Sequence, residues 1–317
     1  MMMPWLMSGL GLVILLLAGD ALVRGAVNLS LRLGVPALIV SLTIVAFGTS
    51  APELLIAIQA VAEHAPSIAL GNVVGSNTAN ILLVLGIPAI LTGLHTSECD
   101  SRKNYVYMLI ASVLFIALAF CGVFTVWSGL VLLAALAVVL GMAFREARAH
   151  RRCCDDGADD LEDIEEADPN MPYWRVGVYL VLGLIGLPLG AHILVDNGTE
   201  IARTYHVSER VIGLTLIAIG TSLPELATTV MAALRRQADV ALGNVIGSNM
   251  FNLLAIVGIA TFVGPIPVKP AFLMFDLWVM LGASLLIVPF VFFRQDITRT
   301  WGFVLTGLYL AYMAVVL

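Results

Sequence analysis

The chain has 317 residues, of which 60% are hydrophobic and only 12% charged, and its mean hydropathy is +0.99. These values exclude a soluble globular domain and specify a polytopic membrane protein. The formal net charge of -6 excludes little, because in such a chain the distribution of basic residues between loops carries the information.

A bilayer-spanning helix takes about 20 mostly apolar residues. In chain order the hydropathy places ten, at 5–23, 36–61, 67–93, 104–123, 126–144, 174–195, 208–233, 240–262, 271–293 and 300–317. The N-terminal stretch has no basic n-region and no clear small-residue cleavage site, so it reads as a retained first span. Between the fifth and sixth spans lies the largest polar interruption, Arg145 to Met171, basic at first (Arg145, Arg148, Arg151, Arg152) and then acidic from Asp155 to Asp168. Its spacing matches no Asp-x-Asp-x-Asp-Gly calcium loop and it is too short for a folded sensor, so it reads as a solvated linker. The expected organisation is all-α integral membrane, with a five-helix unit at 1–144, a charged linker at 145–172 and a second five-helix unit at 173–317.

With alternating spans, one side collects Arg24, Arg32, Arg102, Lys103, Arg145, Arg148, Arg151, Arg152, Arg175, Arg235, Arg236, Arg294 and Arg299. The other side holds Arg203, Arg210 and Lys269. The positive-inside rule then places the linker in the cytoplasm and both termini outside. Cys99, Cys153 and Cys154 fall in loops on the reducing side and Cys121 in a span, so four free thiols are expected.

Part of the sequence occurs twice. GTSAPEL from Gly48 and GNVVGSNTAN from Gly71 to Asn80 return as GTSLPEL from Gly220 and GNVIGSNMFN from Gly243 to Asn252, at one offset of 172 residues without a gap. Because each half has an odd number of spans, the second copy enters from the opposite side, which makes two inverted repeats.

The repeated residues are polar and lie in lipid-spanning segments. Pro52 has no N–H for the carbonyl of Gly48, and Pro224 none for Gly220, so each helix should break there. Carbonyls around Ala46, Gly48 and Thr49, and around Ala218, Gly220 and Thr221, then need partners. Glu53 follows Thr49 and Ser50 at helical spacing on one face, and Glu225 follows Thr221 and Ser222 likewise. In the next spans Asn72, Ser76 and Asn80, and again Asn244, Ser248 and Asn252, form a stripe at steps of four. Carboxylates, hydroxyls, amide oxygens and carbonyls are hard donors that suit Ca2+ or Na+. The glycines at Gly71-x-x-x-Gly75 and Gly243-x-x-x-Gly247 are also packing motifs, and single Ser or Asn residues can serve helix packing. Two glutamates near helix centres are harder to explain that way, since each costs about 2.5 to 3.5 kcal/mol on insertion scales.

GTSxPE followed by GNVxGSNxxN, present twice in a ten-span chain, resembles the alpha repeats of the cation/calcium exchanger superfamily, and the chain looks like a compact prokaryotic sodium/calcium exchanger. The resemblance implies Glu53 and Glu225 as principal ligands, with Thr49, Ser50, Thr221 and Ser222 beside them. It further implies carbonyls from Ala46 and Ala218, oxygens from Ser76, Asn80, Ser248 and Asn252, and sliding of the first and sixth spans across the core. Some exchangers carry Asp in one repeat where this chain has Asn80 and Asn252, so stoichiometry and potassium dependence do not carry over.

The expected function is antiport of Ca2+ against Na+ at a multi-pass inner-membrane protein, with no organic cofactor, no enzymatic activity and no nucleic-acid or protein partner. A proton/calcium antiporter is the nearest alternative and a channel the next, and H+ and K+ stay open as further ions. An intramembrane serine hydrolase is disfavoured because neither repeat supplies a His base near Ser50 or Ser222.

Overall fold

The computed structural model of the protein describes residues 2–153, 168, 171–206 and 218–316. These are almost all helical, as lipid requires, because a helix satisfies its backbone N–H and C=O groups within its own segment. The first half forms α1 (Met2–Leu33), α2 (Ala37–Thr49), α3 (Ala51–Ala62), α4 (Pro66–Leu91), α5 (Arg102–Ala119) and α6 (Val126–Cys153). The second forms α7 (Tyr173–Thr204), α8 (Ala218–Thr221), α9 (Leu223–Leu234), α10 (Ala238–Ala260), α11 (Phe272–Phe292) and α12 (Arg299–Val316). Two short strands, β1 (Val123–Phe124) and β2 (Ile266–Pro267), pair antiparallel and join the α5–α6 turn to the segment before α11.

Among the described residues eight helices are long and apolar enough to cross a membrane, and the bent pair α2–α3 makes a ninth. The span expected at 208–233 is represented by α8 and the 12-residue α9, while 207–217 lies outside the described residues. Proline accounts for these divided segments. Helices α2 and α3 meet at 42°. Ser50 between them has left the helical region at φ -85°, ψ 3°, and Pro52 sits in the first turn of α3, where its missing N–H would have had no intrahelical partner. Ser222 at φ -90°, ψ 4° and Pro224 repeat the break between α8 and α9. The α3–α4 and α9–α10 turns match as well, each closing on one left-handed residue, His64 (φ 60°) and Arg236 (φ 56°).

Helices α1 and α7 run beyond the boundaries expected at 5–23 and 174–195. Hydropathy falls where Arg24 and Asp196 enter, yet a helix continues as long as its backbone hydrogen bonds do. The acidic run of the linker lies outside the described residues except for Asp168, whose N–H donates to Asn28 Oδ1 of α1 at 3.0 Å. Cys121 is a free thiol, Cys99 Sγ donates to the His95 carbonyl at 3.9 Å, and the side chains of Cys153 and Cys154 lie outside the described residues. Beyond the helix ends, Leu94 pairs with Ile297, and Asp296 accepts the Ser97 N–H at 3.0 Å and faces His95 at 3.1 Å. Burial alone would raise the Asp296 carboxyl, but these contacts prevail and hold it below the ordinary carboxylate range.

Helices α4 and α10 occupy the centre. Over their most apolar 18-residue stretch, α10 is buried at every position and α4 at 83%, against 17% for α12. Around them α1 and α7 form an antiparallel pair. Gly11 of α1 meets Gly190 and Leu194, and Leu22 meets Gly183, so rising numbers in one helix meet falling numbers in the other. Their apolar contacts form a cluster (Leu15, Ala18, Leu22, Ala26, Leu187, Ala191) that takes in Val40 and Val45 of α2 and Ala227 of α9, while Val23 and Val27 of α1 pack into the main core. Asp20 bonds to Arg24 on α1 and to Arg235 at the end of α9, which ties the pair to the core at the arginine-rich end.

Close approach of α2 to α10 depends on glycine: a Cβ on Gly243 would lie 2.7 Å from the Leu38 carbonyl oxygen and 2.9 Å from Ser41 Cβ. Gly243→Ala is therefore expected to destabilise the purified protein by about 1–3 kcal/mol, the usual cost of overpacking. Gly282→Ala, where nothing lies within 4 Å, is expected to be neutral or mildly stabilising. Denaturant unfolding of the two variants beside the parent checks both expectations.

Candidate ion-binding site

The breaks in the two divided helices bring their ends to the middle of the protein. Glu53 and Glu225 each stand in the first turn of the following helix, α3 and α9, where unpaired N–H groups favour negative charge. The preceding segments α2 and α8 end there, and helix C-termini favour cations. Both glutamates are at most 1% exposed, and they lie close enough for their charges to interact.

Contacts around them cross between the copies. Ser50 Oγ donates to Glu225 Oε1 at 3.3 Å. Thr49 Oγ1 lies 3.4 Å from both Asn244 Oδ1 and Ser248 Oγ of α10. Asn244 Nδ2 in turn donates to the Glu225 carbonyl at 3.3 Å and to Thr229 Oγ1 at 3.1 Å. The structure thus gathers Thr49, Ser50, Glu225 and Ser248 with Asn244, while Ser76 and Thr221 line one cavity beside them. The Ala46 carbonyl, expected to be free, accepts from Ser50 N–H at 3.1 Å and Thr49 Oγ1 at 3.3 Å. Ala218 opens α8.

Several buried polar atoms have no hydrogen-bond partner among the described residues. Around the two glutamates and the repeated stripes they include both carboxylate oxygens of Glu53, Oε2 of Glu225, Oγ of Ser222, Nδ2 of Asn72, Oδ1 of Asn77, Oδ1 of Asn80 and both amide atoms of Asn252. Buried polar groups are ordinarily paired, and an unpaired one costs about 1–3 kcal/mol, more for a charge. Apart from the amide nitrogens of Asn72 and Asn252, every atom in this central set is an oxygen, the element that coordinates hard cations. No group of three or more His, Cys, Asp or Glu that could hold a metal ion occurs among the described residues. The carboxylates are therefore two, and the remaining donors are neutral.

Two residues that sequence reasoning missed hold this centre together. Asn77 Nδ2 donates to the Asn249 carbonyl at 3.2 Å, and Asn249 Nδ2 to the Asn77 carbonyl at 3.5 Å, a reciprocal pair separated by 172 residues. Asn80 Nδ2 then donates to Asn249 Oδ1 at 3.0 Å. Both asparagines sit one position past the polar stripe, so the step-of-four pattern passed over them; their recurrence in both copies was the available signal. Helix geometry turns at the same places, since π-helical stretches occupy Asn80–Val84 in α4 and Phe251–Ile256 in α10. Such bulges rotate the side chains that follow and concentrate at functional sites.

Asn249→Ala removes a donor shared between the copies and orphans the Asn80 amide. It is expected to lower unfolding stability by about 1–3 kcal/mol. The Asn77→Ala/Asn249→Ala double variant should lose less than the two single losses added, as contacting residues do; a double-mutant cycle by denaturant unfolding checks it.

Comparison with known proteins gives the family and the fold. The sequence model of the family described as sodium/calcium exchanger protein matches residues 3–145 and 176–317. The chain is 34% identical over 337 residues to the sodium/calcium exchanger MaX1 of Methanosarcina acetivorans, covering 96% of each chain. It is 33% identical over 309 residues to the inner membrane protein YrbG of Escherichia coli, covering 96% of this chain and 94% of that one. A solved structure of the sodium-calcium exchanger NCX_Mj, soaked with Na+ and Sr2+, superposes with a TM-score of 0.82 at 32% identity over 98% of this chain and 97% of that one. With both halves matched by the family model and the whole fold shared, this chain is a multi-pass membrane protein that belongs to the sodium/calcium exchanger family.

Proposed function

We propose that the protein exports Ca2+ in exchange for Na+ across the inner membrane, through one central site open alternately to each side. The observation that carries this reading is the pair Glu53 and Glu225, both buried, with both oxygens of Glu53 and Oε2 of Glu225 lacking a protein partner among the described residues. Two carboxylates present two negative charges in an interior that penalises each by several kcal/mol. One Ca2+ or two Na+ balances them, so the ions compete for the same oxygens and the site is never favourably left unneutralised. Thr49, Ser50, Thr221, Ser222, Ser76, Asn80, Ser248 and Asn252 act as further ligands in this reading, with the carbonyls of Ala46 and Ala218.

Differential affinity of the two access states drives the cycle, because an ion shifts an equilibrium only by as much as it prefers one state. The moving part is the α1–α7 pair, whose mutual contact is lined by Gly11, Gly183 and Gly190. Ten spans in two inverted repeats agree with the antiparallel course of α1 and α7, which are counterparts at the 172-residue offset, and with the reciprocal Asn77–Asn249 contact. The count of basic residues puts the linker in the cytoplasm and the termini outside. The relatives named as sodium/calcium exchangers, and the NCX_Mj structures soaked with Na+, Ca2+ or Sr2+, support these ions as substrates.

Glu53→Gln and Glu225→Gln keep shape and remove charge. Each is expected to abolish Ca2+ flux in proteoliposomes while the protein remains inserted; transport at the parent rate in either variant removes that glutamate from the ligand set. For the parent, Ca2+ uptake driven by an outward Na+ gradient at fixed pH is expected to exceed by far the uptake driven by a pH gradient at fixed Na+. The reverse result establishes proton coupling through the same two glutamates.

A further inference from the structure

A cavity of approximately 480 Å3 opens beside the central cluster, and its lining includes Asn72, Ser76, Thr221, Asp276 and Tyr312. Ser76 and Thr221 belong to the proposed ligand set. Asp276 does not, and the exchange cycle described above makes no use of it. The cavity also touches Ile68 near the start of α4 and Val316 at the end of α12. The opposite ends of these two helices meet where Arg299 Nη2 donates to the Leu91 carbonyl at 3.2 Å. Asp276 therefore lies toward the membrane face with few basic residues, the exterior in the proposed orientation.

Asp276 is held in place. Its Oδ1 accepts the Tyr312 hydroxyl from α12 at 3.2 Å, and the Tyr312 ring stacks on Phe275 with centroids 6.2 Å apart. It closes a π-helical turn, Phe272–Asp276, that opens α11, and Trp278 Nε1 donates to the Leu273 carbonyl of that turn at 2.9 Å. The first copy has neither feature. Ser112 donates to the Met108 carbonyl and Ser284 to the Met280 carbonyl, which sets α5 and α11 in the same 172-residue register. In that register the counterpart of Asp276 is Asn104, in a plain α-helical turn of α5. Charge and helix distortion thus enter together, in one copy, at a cavity wall shared with the proposed site.

We infer that Asp276, with the Tyr312 oxygen beside it, is an outer staging site for a monovalent cation, Na+ in the proposed cycle, which passes along Asn72, Ser76 and Thr221 to the central oxygens. A single carboxylate balances one positive charge. A divalent ion there would keep a net charge against apolar walls that include Ile56, Ile68 and Val316, and an uncompensated charge in such surroundings is costly. The site therefore favours Na+ over Ca2+ before either reaches the two glutamates, which favour Ca2+ by charge. This inference rests on the exchange reading for the identity of its ion.

Binding of radiolabelled Na+ and Ca2+ to the purified full-length protein, and Ca2+ flux in proteoliposomes, are measured for the parent, Asp276→Asn and Tyr312→Phe. Asp276→Asn is expected to raise the half-saturating Na+ concentration several-fold in both assays while leaving that for Ca2+ unchanged. Tyr312→Phe, which retains the carboxylate, should move Na+ alone in the same direction by a smaller factor, and it carries the test if Asp276→Asn does not fold. Unchanged Na+ binding in the variants, or equal shifts for both ions, overturns the staging site. Na+ binding that depends on Asp276 in a parent without Na+-driven flux leaves the staging site standing and sinks the exchange reading instead.

Discussion

Everything in this structure answers to one constraint: two glutamates, Glu53 and Glu225, sit at the centre of a protein that is only 12% charged, at most 1% exposed to solvent. A carboxylate in such surroundings is tolerable only with compensating charge and hydrogen bonds. Helix interiors cannot supply these, because their backbone groups are already paired. Breaking the helices at Ser50 and Ser222 frees the ends, directs N-terminal turns at the carboxylates and places hydroxyls next to them. The breaks are the means by which a lipid-spanning chain builds a polar centre.

The duplication supplies the other half of the solution. Neither copy completes the cluster alone, since Ser50 of the first bonds Glu225 of the second and Thr49 reaches Asn244 and Ser248. The Asn77–Asn249 pair sets the crossing of α4 and α10, so the two most buried helices meet through reciprocal amide contacts rather than by apolar packing alone. A buried polar network of this kind specifies one register because any slip leaves several donors unpaired.

Around this rigid centre the α1–α7 pair is built differently. It packs through small residues that let backbones approach, it meets the core through Val40, Val45 and Ala227, and Asp20 ties it to Arg235 of the core. Glycine-lined packing of that type is compatible with the sliding proposed for this pair.

The sequence by itself determined the membrane class, the duplication, the break at each proline, the two glutamates and the exchanger family. All of these are written in composition or in local chemistry: a proline removes its N–H wherever it stands, and an acidic residue in an apolar run announces itself. Helix lengths were less legible, because hydropathy marks where lipid ends rather than where backbone hydrogen bonds end, and α1 and α7 continue past that point. Only the tertiary structure decided that Asn77 and Asn249 hold the copies together, that π-turns begin at Asn80 and Phe251, and that Asp276 shares a cavity with Ser76 and Thr221. Those outcomes depend on the register between segments far apart in the chain, and register is set by the summed packing of whole helices, which no local pattern of residues records.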